Sequence, residues 1–187
     1  MSGVVTIVIV VLLVIAALLV VGLALLPRFR SRRLRDRFGP EYDRTVQESQ
    51  NRRVAERELA EREKRHQQLE LRTLPEDEKR RYELQWARVQ EQFVDDPAGA
   101  LTAADQLLTQ VMKDRGYPSE SYDQQLADLS VEHAEPLGQF RTAHDIAGRA
   151  ERDEASTEDM RAAIVHYRKL FIDVLDGNPA HHAAQNK

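Results

Sequence analysis

The chain has 187 residues and a mass of 21.5 kDa, which suffices for one membrane span and one modest domain and excludes most multidomain enzymes. It contains no cysteine, so disulfide frameworks, thiolate nucleophiles, cysteine-ligated zinc and iron–sulfur clusters are excluded. The net charge of −4 hides an uneven distribution: residues 1–37 hold six Arg and one Asp, a net +5, and the other 21 basic and 30 acidic residues give −9.

Residues 4–26 form an unbroken apolar stretch in which only Thr6 and Gly22 fall outside the strongly apolar set. A helix of about 23 residues spans about 34 Å, slightly more than the roughly 30 Å hydrocarbon core of a bilayer. In lipid the backbone N–H and C=O groups must be satisfied within the segment, which favours a helix despite the many Val and Ile residues. We therefore predict a transmembrane helix over 4–26, after a short N-terminus over 1–3.

A cleaved signal peptide is the competing interpretation of this stretch. Such peptides begin with basic residues and have an apolar run of about 7 to 15 residues before a small-residue cleavage site. Here residues 1–3 carry no charged side chain, the run is longer, and it ends in Leu-Leu-Pro-Arg. An anchored chain is favoured, and the alternative is an exported helical protein whose apolar segment acts as signal or anchor.

Six arginines crowd the C-terminal flank of the apolar stretch, in a basic juxtamembrane segment over 27–39. Because basic flanks stay on the cytoplasmic side, we expect a single-pass protein of the cell membrane with its N-terminus outside and its C-terminal domain in the cytoplasm. Each arginine over an anionic leaflet adds about 1 kcal/mol of attraction, so the bilayer and anionic lipid headgroups are the expected partners. The six are Arg28, Arg30, Arg32, Arg33, Arg35 and Arg37.

The same arginines also allow a second alternative, specific binding of anionic lipid or nucleic acid, since phosphates attract such clusters. The cluster begins two residues after the apolar stretch and has only Phe29 as an interleaved aromatic. The stop-transfer role is therefore favoured, and nucleic acid is not an expected partner.

Residues 40–72 are dense in Arg, Glu and Gln and have few apolar positions. Pairs such as Glu48 with Arg52 and Glu58 with Arg62 have the favourable i,i+4 orientation. The pattern predicts a charged helix that, if continuous, would reach roughly 45 Å from the membrane. Apolar heptad positions do not persist over three heptads, so a solvated single helix is favoured over a coiled coil, with self-association left open.

Residues 73–177 lack strand-like alternation and predict a small bundle of about four helices, which makes the chain all-α. Thr73 and Glu76 match a capping box. Asp96 and Pro97 are suited to cap and open the next helix, which Gly116 would end.

The second half of the bundle shows similar boundary signals. A break is expected near 130–134, because Pro136 suits only the first turn of a new helix. Ser156 or Thr157 would cap a last helix that ends at Gly177, and the tail over 178–187 is predicted to be disordered. Apolar residues at helical spacing predict the core. The predicted core residues are Tyr82, Trp86, Val89, Phe93, Leu101, Leu108, Phe140, Ile164 and Phe171.

No residue pattern indicates catalysis. The six histidines form no HExxH motif, and no glycine-rich phosphate loop or nucleophile elbow is present. His144 lies on an apolar stripe and is interpreted as a core histidine, while His181 and His182 in the tail suggest only adventitious metal binding. We therefore assign no catalytic, cofactor-binding or metal-binding residue and predict a protein that is not an enzyme.

Three parts of the sequence carry a resemblance: RSRRLRDRFGPEYDRTV, FVDDPAGALTAADQLLTQVMKDRGYP and the stretch from ADLSVEHAE to MRAAIVHYRKLF. They resemble a group of short single-span proteins of high-GC Gram-positive (actinobacterial) species. The resemblance covers nearly the whole chain outside the tail. It implies a membrane or secreted protein, and because the group has no assigned active site, no functional residue is carried over. The expected function is a membrane-tethered helical interaction or scaffold module that binds an unknown protein partner or itself.

Overall fold

The computed structural model describes residues 3, 13, 15, 29–118 and 121–177, and every regular element among them is helical. This confirms the predicted all-α class. In the described residues no helix combines the length and apolarity that a membrane crossing requires. Apart from Leu13 and Ile15, the span predicted over 4–26 lies outside the described residues, as do Arg28 and the predicted disordered tail over 178–187.

In the part of the chain that the structure describes, seven helices follow a helical segment over 29–38, which we call the basic helix. The helices are α1 (Pro40–Ser49), α2 (Arg52–His66), α3 (Glu76–Asp95), α4 (Pro97–Asp114), α5 (Tyr122–Glu132), α6 (Ala134–Ala150) and α7 (Thr157–Asp176).

The single charged helix expected over 40–72 is instead two helices, α1 and α2, which pack on each other as a hairpin. The chain breaks at Gln50, whose backbone is left-handed with φ 51°. Asn51 then caps α2, because its side chain accepts hydrogen bonds from the backbone N–H of Arg53 and Val54. Of the predicted i,i+4 pairs, Glu58 with Arg62 forms within α2. Glu48 and Arg52 lie on either side of the break and pair with Arg44 and Glu56 instead, so each helix is stabilised by its own charge pairs.

The few apolar residues of the charged region explain why the hairpin folds back. They form a second, smaller core together with residues of the basic helix and of α5, so the hairpin is seated on the bundle. Burying this apolar surface stabilises the folded hairpin more than a solvated stalk, which would leave the same side chains in water. The buried residues of this core are Leu34, Phe38, Tyr42, Leu59 and Val131.

The main core lies among α3, α4, α6 and α7. Helices α6 and α7 form an extensive pair, and α4 packs against α3, α6 and α7. Trp86 stacks on Phe171 with ring centroids 4.8 Å apart. Among the predicted core residues, Phe93 and Ile164 are partly buried and the others are buried: Tyr82, Trp86, Val89, Leu101, Leu108, Phe140 and Phe171.

The helix boundaries agree with the sequence in most places. Asp96 accepts a hydrogen bond from the backbone N–H of Gly99, and Pro97 opens α4, as predicted. The capping box at Thr73 is wrong, because α3 begins only at Glu76 and Pro75, in an extended conformation, occupies the capping position without a side-chain bond.

Later boundaries follow the predictions. The break between α5 and α6 falls at His133, and Ser156 forms a full capping box with Asp159 at the start of α7. Gly177 ends α7 in the left-handed conformation, with φ 62°. These signals are local, so the sequence alone could predict them.

Candidate functional site

The basic helix is amphipathic. Ser31, Leu34 and Phe38 recur at intervals of three and four residues and are buried, so they lie on the face that packs against the hairpin. The described arginines of the segment all lie on the exposed side: Arg30, Arg32, Arg33, Arg35 and Arg37.

Two of these arginines are engaged in ion pairs. The Nη2 atom of Arg33 lies 2.7 Å from Oε1 of Glu63 on α2, and Nη2 of Arg35 lies 2.8 Å from Oδ1 of Asp43 on α1. The other three make no ion pair with any described residue: Arg30, Arg32 and Arg37. The predicted cluster therefore keeps positive charge that its neighbours do not neutralise.

The string FGPEYDR joins the basic helix to the rest of the fold. Gly39 adopts φ 46°, a conformation that favours glycine, and Pro40 opens α1 directly after it. Glu41 is buried and forms a two-point ion pair with Arg141 of α6, in which Nη2 and Oε2 are 2.7 Å apart. The FGPEYDR string thus has a structural role, which is to fasten the basic helix and the hairpin to the bundle.

Glu56 of α2 holds the inner side of the basic helix. Its Oε1 accepts hydrogen bonds from Ser31 Oγ at 2.6 Å, Tyr42 OH at 2.7 Å and Arg52 Nε at 2.8 Å. Burial alone would raise the pKa of this carboxyl, but the three hydrogen bonds outweigh burial and lower it. The negative charge of Glu56 therefore fixes two hydroxyls and a guanidinium at one point.

Two concave regions border the basic helix, and Arg32 lines both. The smaller has a volume of about 250 Å³ and lies between the basic helix and the hairpin, lined by Ser31, Arg32, Arg35, Tyr42 and Arg52. The larger is an open groove of about 610 Å³ that includes the exposed ring of Phe29, with Arg32, Arg33, Asp36, Arg37 and Glu63. Arginine is the most frequent lining residue in both regions.

A buried polar chain that the sequence did not predict joins the loop after α4, the junction between α5 and α6, and α7. The hydroxyl of Tyr117 lies 3.1 Å from Nε2 of His133, whose Nδ1 lies 2.5 Å from Oδ2 of Asp173. Burial raises the pKa of Tyr117, and His133 is only 2 % exposed. The arrangement resembles an acid–histidine relay, but such a ring cannot reach a ligand in solvent, so the contact serves to hold the helices together.

Further polar contacts seat α2 on α5. Arg65 Nε lies 3.2 Å from Oδ1 of the fully buried Asp128. Beside this pair His66 is buried, with its Nε2 3.8 Å from Glu132 Oε2 and without a hydrogen bond. Burial lowers the pKa of His66, opposed by Glu132.

His144 lies at the edge of the bundle and not in the core that was predicted for it, since its side chain is 41 % exposed. Its Nδ1 is 3.2 Å from Asp105 Oδ1, which also accepts a hydrogen bond from Tyr167 at 3.0 Å, and its ring stacks on Tyr122 at 4.0 Å. The hydrogen bond with Asp105 raises the pKa of His144. Asp105 carried no signal in the sequence, because its partners are 39 and 62 residues away.

Within the described residues no group of three or more His, Asp or Glu side chains could hold a metal ion. No family model, curated protein or solved structure matches the chain. The resemblance to single-span actinobacterial proteins therefore stays a prediction. The structure does explain two of its strings, because FGPEYDR fastens the hairpin and DDPAGA forms the capped start of α4.

Proposed function

We propose that the chain is a non-enzymatic, single-pass membrane protein whose helical domain lies in the cytoplasm and presents an acidic helical surface to a protein partner or to copies of itself. The observation that carries the proposal is the exposure of the arginines of the basic helix, which begins three residues after a long apolar stretch. Leu13 and Ile15, the two described residues within that stretch, are exposed apolar side chains, which lipid would accommodate at no cost.

The charge of the chain supports one orientation at a membrane. Residues 28–66 contain 13 basic and 8 acidic residues, a net +5, whereas residues 67–177 contain 13 basic and 23 acidic residues, a net −10. An anionic leaflet attracts the first group and repels the second over about one Debye length. We therefore expect the basic helix to face the lipid headgroups and the bundle to project into the cytoplasm.

The packing of the hairpin supports a module held close to the membrane. Leu34 and Phe38 bury one face of the basic helix, and the Glu41–Arg141 ion pair joins α1 to α6. The acidic bundle would then be presented by a rigid connection and not at the end of a long stalk.

The non-enzymatic part of the proposal is supported by the environment of the reactive side chains. His133 is buried and engaged with Tyr117 and Asp173, and His144 is engaged with Asp105. Each of these side chains joins helices, and this structural role accounts for its presence without a catalytic one.

Alkaline phosphatase fused after Lys187 tests the orientation, because this reporter is active only outside the cytoplasm. We expect an inactive fusion, and a fluorescent protein fused at the same place should be fluorescent. An active phosphatase fusion would overturn the orientation and favour the exported alternative.

Proximity labelling from the C-terminus in the native cell tests the interaction role. The matched control carries the same labelling enzyme, a biotin ligase, fused after residue 39, which keeps the apolar stretch and the basic segment without the bundle. We expect proteins enriched with the full chain over the control, or crosslinked copies of the chain itself. A monomeric chain with the same labelled proteins as the control would count against the module.

A further inference from the structure

The cavity between the basic helix and the hairpin has the chemistry of a phosphate site. We propose that it binds a phosphomonoester group, of the kind found on an anionic lipid headgroup or on a small phosphorylated molecule, through Arg32, Arg35 and Arg52. The inference deepens the proposed function, and it rests on that function only for access of the cavity to lipid.

Three guanidinium groups from two parts of the fold line this cavity. Arg32 and Arg35 come from the basic helix and Arg52 from the first turn of α2. Arg32 has no ion-pair partner among the described residues, Arg35 uses Nη2 to bind Asp43, and Arg52 uses Nε to bind Glu56 and Tyr42. Since each guanidinium has five N–H groups, most of these donors remain available to an anion.

The charge of the cavity favours an anion even after its carboxylates are counted. Asp43 and Glu56 neutralise two of the three guanidiniums, which leaves an excess positive charge. The three hydrogen bonds that Glu56 accepts converge on its Oε1 atom, so the protein itself already satisfies this oxygen. The hydroxyls of Ser31 and Tyr42 donate to this oxygen, so they form part of the cavity wall, and the guanidiniums are the groups that would bind the phosphate.

The ring of Tyr42 fixes one of the three arginines. The guanidinium carbon of Arg35 lies 4.9 Å from the centroid of this ring, and Asp43 holds the same side chain from the next position in the chain. An arginine fixed in this way loses little side-chain entropy on binding. This distinguishes Arg35 from Arg30 and Arg37, which make no ion pair with any described residue.

Size and position narrow the class of ligand. A volume of about 250 Å³ suits a small group better than a nucleotide or a folded partner. A phosphomonoester offers three terminal oxygens and up to two negative charges, which matches several guanidinium forks better than a phosphodiester does. Arg32 is also only six residues beyond the apolar stretch, within chain reach of the headgroup layer.

The test compares two single substitutions that remove the same charge from the same helix. Arg32→Gln removes a cavity guanidinium, whereas Arg30→Gln removes an exposed arginine that does not line the cavity. The full chain is placed in nanodiscs of phosphatidylcholine and titrated with inorganic phosphate, and binding is followed by calorimetry. We expect saturable binding that Arg32→Gln weakens about tenfold or more and Arg30→Gln less than about twofold, since a charge-assisted hydrogen bond is lost only in the first.

Equal losses in the two variants, or no saturable binding by the unsubstituted chain, would overturn the site in favour of diffuse electrostatics. Circular dichroism of both variants checks that the fold is retained. A third variant, Arg32→Lys, keeps the charge but loses the guanidinium, and it should still bind phosphate more weakly than the unsubstituted chain.

A second arm identifies the source of the phosphate group. Nanodiscs that contain phosphatidic acid should compete with inorganic phosphate if a lipid headgroup occupies the site, whereas phosphatidylglycerol, a diester of similar lipid structure, should compete less. Competition by neither lipid would assign the site to a soluble phosphorylated ligand. The orientation of the chain in the cell and its protein partners do not enter this measurement, so a failure of the orientation or of the interaction role is distinguishable from a failure of the site.

Discussion

Asp95 and Asp96 are adjacent and have the same side chain, but the structure gives them different roles. Asp96 caps α4, whereas Asp95 is the exposed last residue of α3, where the negative end of the helix dipole disfavours it. We expect Asp96→Ala to lower the free energy of unfolding by about 1 kcal/mol. Chemical denaturation followed by circular dichroism would measure it.

Asp95→Ala is the matched control and should leave stability unchanged or slightly higher. Equal destabilisation by the two substitutions would show that the cap is not what stabilises this junction. The cap was predictable because it depends on neighbouring residues alone, in contrast to Asp105, whose partners His144 and Tyr167 are distant in sequence.

Two histidines should give opposite pH dependences. The pKa of His66 is lowered by burial, so the unfolded chain takes up its proton first and stability is lost as the pH falls below the usual value near 6.5. The pKa of His144 is raised by Asp105, so its contribution is present below about pH 6.5 and is lost as the pH rises through its folded value.

We therefore expect His66→Gln to destabilise the fold less at pH 5.5 than at pH 8.5. We expect His144→Gln to destabilise it more at pH 5.5 than at pH 8.5. Denaturation curves at the two pH values give both differences, and each variant serves as the control for the other. The same direction of change in both would contradict this assignment.

At the scale of elements, the seating of the hairpin depends on Glu41 and Arg141. Their side chains are only 4 % and 16 % exposed, so removing one partner leaves a charge in a poorly hydrated place. We expect Glu41→Gln to destabilise the fold by about 2 to 4 kcal/mol. Thermal unfolding of the full chain in detergent would measure the loss, with amide hydrogen exchange to show whether α1 and α2 lose protection first.

Glu48→Gln is the control on the same helix, because the pair of Glu48 with Arg44 is exposed and should contribute less than about 0.5 kcal/mol. The double variant Glu41→Met with Arg141→Met should recover much of the lost stability, since neither charge then stays buried. A loss for Glu41→Gln no larger than for Glu48→Gln would mean that apolar packing alone seats the hairpin.

The helices themselves were largely predictable, but the hairpin was not. The charge pattern of residues 40–72 suits a continuous helix, and Asn51 is the one local signal of a break, since Gln50 is not a residue that ordinarily marks a left-handed turn. What decides the break is burial of Leu59 and Tyr42 against Phe38 and Val131. Those contacts form between elements up to about 90 residues apart, where helical periodicity carries no information.

At the scale of the whole molecule, the distribution of charge should determine topology. We expect replacement of four arginines of the basic helix by Gln to raise the activity of a C-terminal alkaline phosphatase fusion, because the positive flank would no longer hold the domain in the cytoplasm. The four are Arg30, Arg32, Arg33 and Arg35.

The control removes the same number of positive charges from exposed positions at least 27 residues beyond the apolar stretch, where charge has little influence on insertion. This variant should keep the fusion inactive. Similar activity in the two variants would show that net charge, and not its position, sets the orientation. The control residues are Arg53, Arg57, Lys64 and Arg80.

The amino-acid sequence by itself determined the all-helical class, the capped boundaries of α4 and α7 and the apolar positions of the bundle, because these features depend on residues within a few turns of each other. The tertiary structure alone decided that the charged region folds into a hairpin, that Glu41 meets Arg141, and that Arg32, Arg35 and Arg52 surround one cavity. Those arrangements require side chains from separate helices to meet, and apolar burial outweighed local helix propensity in bringing them together.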